Sequence, residues 1–117
     1  RRKLRHAGNA GVSVSCGAAR LPLEDMARVS HAWEHRHGAP RGLTMGRFDG
    51  PYVAGQRVFL AHLDGQLAGF VTFHATAQEW CLDLMRVLPD APDGTMHMLV
   101  DRAIRAAAAQ GVARLSL

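Results

Sequence analysis

With 117 residues, 48% of them hydrophobic, the chain holds one domain with a real core, which excludes disordered and low-complexity classes. A net charge of +4 favours acidic partners such as nucleic acid or anionic lipid, although Arg1, Arg2, Lys3 and Arg5 carry much of it and a solvated basic end is the simpler account. No apolar run approaches the ~18 residues of a membrane-spanning helix, and no signal peptide is visible. Two cysteines, Cys16 and Cys81, lie far apart without CxxC spacing. They read as free thiols of a reducing compartment, each filling core. Beginning on Arg1 and ending within a strand-like run at Leu117, the sequence reads as a piece of something longer.

In chain order, Gly11-Val-Ser-Val-Ser-Cys16 alternates apolar and small polar residues and predicts a short strand. Pro22 suits a first helical turn, with Glu24 and Asp25 near its positive end, so a helix is expected over residues 22–37, stopped by Gly38. Met26, Val29 and Trp33 share its buried face, opposite Glu24, Arg28, His31 and His35. Residues 38–56 are rich in Gly and Pro and read as loop with at most a short helix. Asp64-Gly65 between the apolar runs 58–63 and 67–73 predicts a hairpin with a type I′ turn. Both its strands are apolar on both faces, so they belong at the centre, covered by helices. Residues 79–87 form a third strand beside them. A helix follows over residues 95–110, where Met96, Leu99, Val100, Ala103, Ile104 and Ala107 keep helical spacing. Gly111 can close it, and Asp101 and Arg105 pair on its outer face. Residues 112–117 return as a strand, completing a β–α–β crossover.

The stretch from Trp80 to Met96 carries the candidate chemistry. Two charges, Asp83 and Arg86, interrupt an apolar strand that breaks at Pro89 and Pro92 and turns through Asp93-Gly94 into the long helix. A strand that runs through a turn into a helix N-terminus brings side chains and free backbone N–H groups to one mouth, a common place to handle negative charge or a reacting carbonyl.

The order of elements looks like the GNAT acyltransferase fold. That makes the fold class α/β (α+β): one GNAT-like lobe with a mixed, mostly antiparallel sheet and helices on both faces, truncated at its C-terminal end. The words themselves are more specific. Leu4-Arg5-His6 with Asn9, then Trp33, Gly42-Leu-Thr-Met-Gly-Arg-Phe-Asp49, Asp64-Gly-Gln-Leu-Ala-Gly-Phe70, Asp83-Leu-Met-Arg86 and Pro89-Asp-Ala-Pro-Asp-Gly-Thr-Met96 resemble the catalytic domain of the phosphatidylglycerol lysyltransferases, or multiple peptide resistance factors. The resemblance spans residues 4–117. It implies one lobe of a two-lobe domain on the cytoplasmic side of a bacterial membrane, beside a membrane-embedded region of the same protein. The implied activity moves a lysyl or alanyl group from aminoacyl-tRNA to a glycerol hydroxyl of phosphatidylglycerol.

Such a transfer needs the α-ammonium held, the ester carbonyl polarised and the hydroxyl brought in line. A carboxylate suits the ammonium, and an arginine suits a phosphate or developing oxyanion. The resemblance places substrate-contacting residues at Asp83 and Arg86. Residues three apart on a regular strand face opposite sides, so the two serve one pocket only if a bulge or the strand's end lies between them. The resemblance to GNAT-like folds, which usually carry a bulge in this strand, implies one near Leu84 or Met85. The plainer alternative is a salt-bridged or capping pair at a strand end. Arg47 and Asp49 line the acceptor side or form an ordinary loop ion pair. Thr95 is a further substrate-side candidate, although Thr95 or Asp93 is more simply the helix N-cap.

Coenzyme A is disfavoured as a cofactor. Where acetyl-CoA enzymes of this fold carry a Gly-rich diphosphate cradle, Val87-Leu-Pro-Asp-Ala-Pro-Asp-Gly-Thr95 has two prolines without N–H groups and two added negative charges. His31-Ala-Trp-Glu-His35 fits a zinc-peptidase spacing, but its histidines lie opposite the apolar face and Glu79 is the only later Glu, so no metal is assigned. Two other readings stay open: a coenzyme A-dependent acyltransferase, and a non-catalytic lobe that binds tRNA or anionic lipid; a soluble relative without a membrane region would be cytoplasmic.

Overall fold

In the computed structural model, which describes residues 2–17, 21–37 and 55–117, a single five-stranded sheet runs in the order β1-β2-β3-β4-β5. The strands are β1 (Ser13–Cys16), β2 (Arg57–Leu63), β3 (Gln66–Ala75), β4 (Glu79–Val87) and β5 (Arg114–Ser116). The first four pair antiparallel, and β5 lies parallel to β4. Helix α2 (Leu23–His37) packs on one face of the sheet, while α1 (Arg2–Asn9) and α3 (Thr95–Ala109) cover the other. This is the mixed sheet between helices that the element order predicts.

The β2–β3 hairpin turns as its sequence requires. Asp64 (φ 53°) and Gly65 (φ 80°) both take positive φ, the signature of the type I′ turn whose twist matches the strands it joins. Both strands are buried on both faces because each face meets a helix. Under α2, Met26 and Val29 pack on Val58, Leu60, Leu67, Phe70 and Leu84. Under α3, Phe59, Phe73 and Trp80 form an aromatic triad with centroids 6.1–6.3 Å apart, joined by Leu99, Ala103 and Ala107. Gly69 stands where β3 and β4 approach closely, since a Cβ there would meet the Arg86 carbonyl oxygen at 3.0 Å.

Three expectations change. The buried stripe of α3 is Thr95, Leu99, Ala103 and Ala107, whereas Met96 (40% exposed) and Ile104 (48%) face outward. Helical spacing defines two adjacent apolar stripes on this helix, and the sheet takes the one with small residues, which lets the helix sit close. The basic N-terminal stretch, to which the sequence assigns no element, is helical, with Arg5 and His6 exposed to solvent. Ala7 is its buried contact, and Gly11 (φ 98°) closes it with the Val12 N–H donating to the Ala7 carbonyl. Cys16 is exposed and Cys81 half-buried, so neither thiol fills core; both are free.

Candidate functional site

Strand β4 pairs with β3 in two registers. Trp80, Cys81 and Leu82 oppose Ala75, His74 and Phe73, but Leu84, Met85 and Arg86 oppose Thr72, Val71 and Phe70. One residue of β4, Asp83, is left without a partner, so the bulge falls at Asp83 itself, slightly before the position expected from the sequence. The buried Thr72 hydroxyl accepts the Leu84 N–H at 3.1 Å, satisfying an amide that the irregular ladder would otherwise strand.

The extra residue changes which side chains share a face. Without it, Asp83 and Arg86 would alternate to opposite sides. With it, Leu84 enters the core beneath α2, Arg86 follows on that face, and Asp83 turns there too, toward Gln56 and His74. Gln56 Nε2 donates to Asp83 Oδ2 at 2.9 Å, and His74 Nε2 lies 3.8 Å from the same oxygen. The Asp83 side chain is 18% exposed and that of His74 48%, so the group opens to water on one side.

Arg86 is 6% exposed, and its guanidinium carbon lies 3.8 Å from the ring centroid of Trp33 on α2. That places a flat cation on a flat π-face, and Arg86 Nη1 also donates to the Met85 carbonyl at 3.1 Å. Burial lowers the Arg86 pKa, and the carboxylates of Glu34 and then Asp83 oppose the shift. Glu34 in turn accepts the Ser30 hydroxyl at 3.4 Å. A cation and two carboxylates therefore occupy one side of the sheet. Beyond Cys81 the far edge of β4 has no strand partner among the described residues, because β5 pairs only with residues 79–81.

The turn into α3 differs from expectation. Gly94 (φ 92°) is the N-cap and has no side-chain capping bond, so neither Asp93 nor Thr95 serves that role. Thr95 begins the helix, 1% exposed, with its hydroxyl donating to the Pro92 carbonyl at 2.7 Å. A left-handed residue fits only Gly comfortably here, and Gly offers no side chain to cap with. Leu88, Ala91 and Thr95 spend their N–H groups on the carbonyls of Ala68, Leu88 and Pro92. Arg47 and Asp49 lie outside the described residues. His31 and His35 are exposed on the outer face of α2. Sequence reasoning missed Gln56, His74 and Glu34. His74 sits at even spacing from Phe70 and Thr72 along β3, but nothing local points it at Asp83.

No curated protein matches the chain. Solved structures do. The C-terminal domain assigned to a lysylphosphatidylglycerol synthetase of Agrobacterium fabrum superposes with a TM-score of 0.86 at 24% identity, over 99% of this chain and 39% of that one. L-PGS from Bacillus licheniformis gives 0.74 at 20% identity, over 93% and 35%. A ribosomal-protein-alanine N-acetyltransferase from Brucella melitensis gives 0.69 at 19%, over 92% and 80%. These likenesses establish the acetyltransferase-type fold, and the chain spans well under half of the first two proteins. The family model for the phosphatidylglycerol lysyltransferase C-terminal domain matches residues 1–117, and the chain belongs to that family.

Proposed function

We propose that the chain is one lobe of an aminoacyltransferase that moves a lysyl or alanyl group from aminoacyl-tRNA to phosphatidylglycerol at the cytoplasmic face of a membrane. The observation that carries this reading is the unpaired Asp83 of β4, which sets a carboxylate and the Arg86 guanidinium on one face of the sheet. In the reaction the glycerol hydroxyl oxygen attacks the ester carbonyl carbon and the bond from that carbon to the ribose oxygen breaks. The hydroxyl proton ends on the released ribose oxygen. No oxidant or further co-reactant is needed, and the new ester replaces the old. Asp83 holds the α-ammonium, and Arg86 stabilises negative charge on the carbonyl oxygen or grips the lipid phosphate. Trp33 keeps the guanidinium plane fixed, whereas Thr95 lies on the helix that covers the other face of the sheet, its hydroxyl closing on the Pro92 carbonyl. Arg47 and Asp49 are proposed for the acceptor side.

That chemistry calls for aminoacyl-tRNA and an anionic lipid surface as partners, and the family implies a second lobe with a membrane region in the same protein. The exposed Arg5 on α1 adds positive charge of the kind that phosphate backbones and anionic headgroups attract without sequence preference. The fold's acetyltransferase neighbours favour a second reading, coenzyme A-dependent acyl transfer. Against it, the Pro89 and Pro92 positions have no N–H and three others in the turn are already bonded, leaving few donors for a diphosphate. The deciding experiment supplies labelled Lys-tRNA or Ala-tRNA and phosphatidylglycerol vesicles to the full-length protein. Labelled lipid is the expected product; none with any charged tRNA removes the proposal.

A further inference from the structure

The Asp83 carboxylate is held asymmetrically. Oδ2 accepts from Gln56 at 2.9 Å and faces His74 at 3.8 Å, while Oδ1 takes no hydrogen bond among the described residues. The orientation of the Gln56 amide is fixed by chemistry, since an ionised carboxylate only accepts and the group facing it must be the NH2. That same nitrogen lies 3.3 and 3.4 Å from the two ring nitrogens of His74. Gln56 Oε1 is thereby turned away and buried without a hydrogen-bond partner among the described residues. A buried amide oxygen left unpaired is costly, so its sacrifice to aim one carboxylate needs a reason. Asp83 acts on the Arg86 guanidinium alongside Glu34, and no ion pair joins Asp83 to Arg86 among the described residues.

We propose that Gln56 and His74 are positioning residues that pin Oδ2 and present Oδ1 of Asp83 to a primary ammonium, the α-ammonium of an aminoacyl ester. The identity of that ligand rests on the transferase reading above; the aiming of the carboxylate does not. A half-buried carboxylate with one oxygen tethered and the other open suits a compact cation with several donors. The carbonyl, two bonds from such an ammonium, then falls on the face that Arg86 shares.

The test uses the full-length protein with alaninamide and N-acetylalaninamide as probes, the second lacking the charge and two of the donors, with binding followed by NMR titration. Alaninamide is expected to bind and N-acetylalaninamide not to. Gln56→Met, which keeps the shape and removes the amide, is expected to weaken alaninamide about tenfold or more, the scale of a lost hydrogen bond to a charged group. It should raise KM for aminoacyl-tRNA more than it lowers kcat, as loss of an interaction made equally before and during reaction does. His74→Ala alters an exposed position and serves if Gln56→Met fails to fold; it is expected to weaken alaninamide several-fold. Wild-type affinity in whichever variant folds, or equal binding of the acetylated probe, overturns the proposal. Aminoacyl transfer that persists with Gln56-independent binding would remove this inference alone. Gln56-dependent alaninamide binding in a protein that makes no labelled lipid would remove the transferase reading and keep the subsite.

Discussion

Thr72→Val tests the physical basis of the site most directly. The substitution preserves volume at a fully buried position and deletes the oxygen that accepts the Leu84 N–H at 3.1 Å. Leu84 adjoins the break that Asp83 makes in the ladder, and it is too deep for water to replace the lost acceptor. Orphaning a buried donor costs about 1–3 kcal/mol, so a loss of about 2 kcal/mol is expected. For a domain of this size that lowers Tm by roughly 8 °C. Urea unfolding followed by the fluorescence of Trp33 and Trp80 measures the global loss. Amide exchange of Leu84 reports the local one, and it should become faster than that of neighbouring β4 amides. Aminoacyl transfer should fall with it, because the bulge that places Asp83 has lost its tether. A change below about 0.5 kcal/mol, with Leu84 still protected, would show that the hydroxyl is incidental and the bulge is held by something else.

Deleting Asp83 should restore one regular register from Trp80 to Val87, with every remaining β4 side chain on its present face. Circular dichroism should therefore show a folded protein, while transfer is abolished; an unfolded deletion variant would mean that the bulge is needed for the fold. Leu99→Ala should cost about 2–5 kcal/mol, whereas Met96→Ala and Ile104→Ala should each stay within about 0.5 kcal/mol, and equal losses in urea unfolding would contradict the orientation of α3. Partial burial and then the neighbouring Glu79 carboxylate raise the Cys81 pKa. The protonated thiol is thus favoured in the folded state, and its contribution to stability is present below the unfolded pKa and lost as pH rises through the folded one. Iodoacetamide should label exposed Cys16 before Cys81, and Glu79→Gln should speed Cys81; simultaneous labelling that Glu79→Gln leaves unchanged would refute the assignment. Acetyl-CoA should leave Tm unchanged, since a ligand of the native state must raise it.

What the sequence made legible follows from where its signals are local. Asp64-Gly65 dictates its turn through the φ values that only a few residues tolerate, and uninterrupted apolar runs on both sides announce strands covered on both faces. The helix of residues 2–9 was hidden because it is short and its composition is strongly polar; among the described residues, buried Ala7 and the closing Gly11 tie it down. On α3 the spacing was readable but not the choice between two stripes, which depends on how closely the sheet lets a helix approach. The site divides in the same way. A carboxylate and an arginine three apart on a strand can share a face only through a bulge or the strand's end, and the fold resemblance pointed to the bulge, which the register places at Asp83. Gln56 and His74 reach Asp83 from 27 and 9 positions earlier in the chain, and the antiparallel registers of β2 against β3 and of β3 against β4 make them neighbours. A single unpaired residue thus links fold to chemistry: it costs the sheet one ladder position, which Thr72 repairs, and it moves a charge onto the face where another already stands.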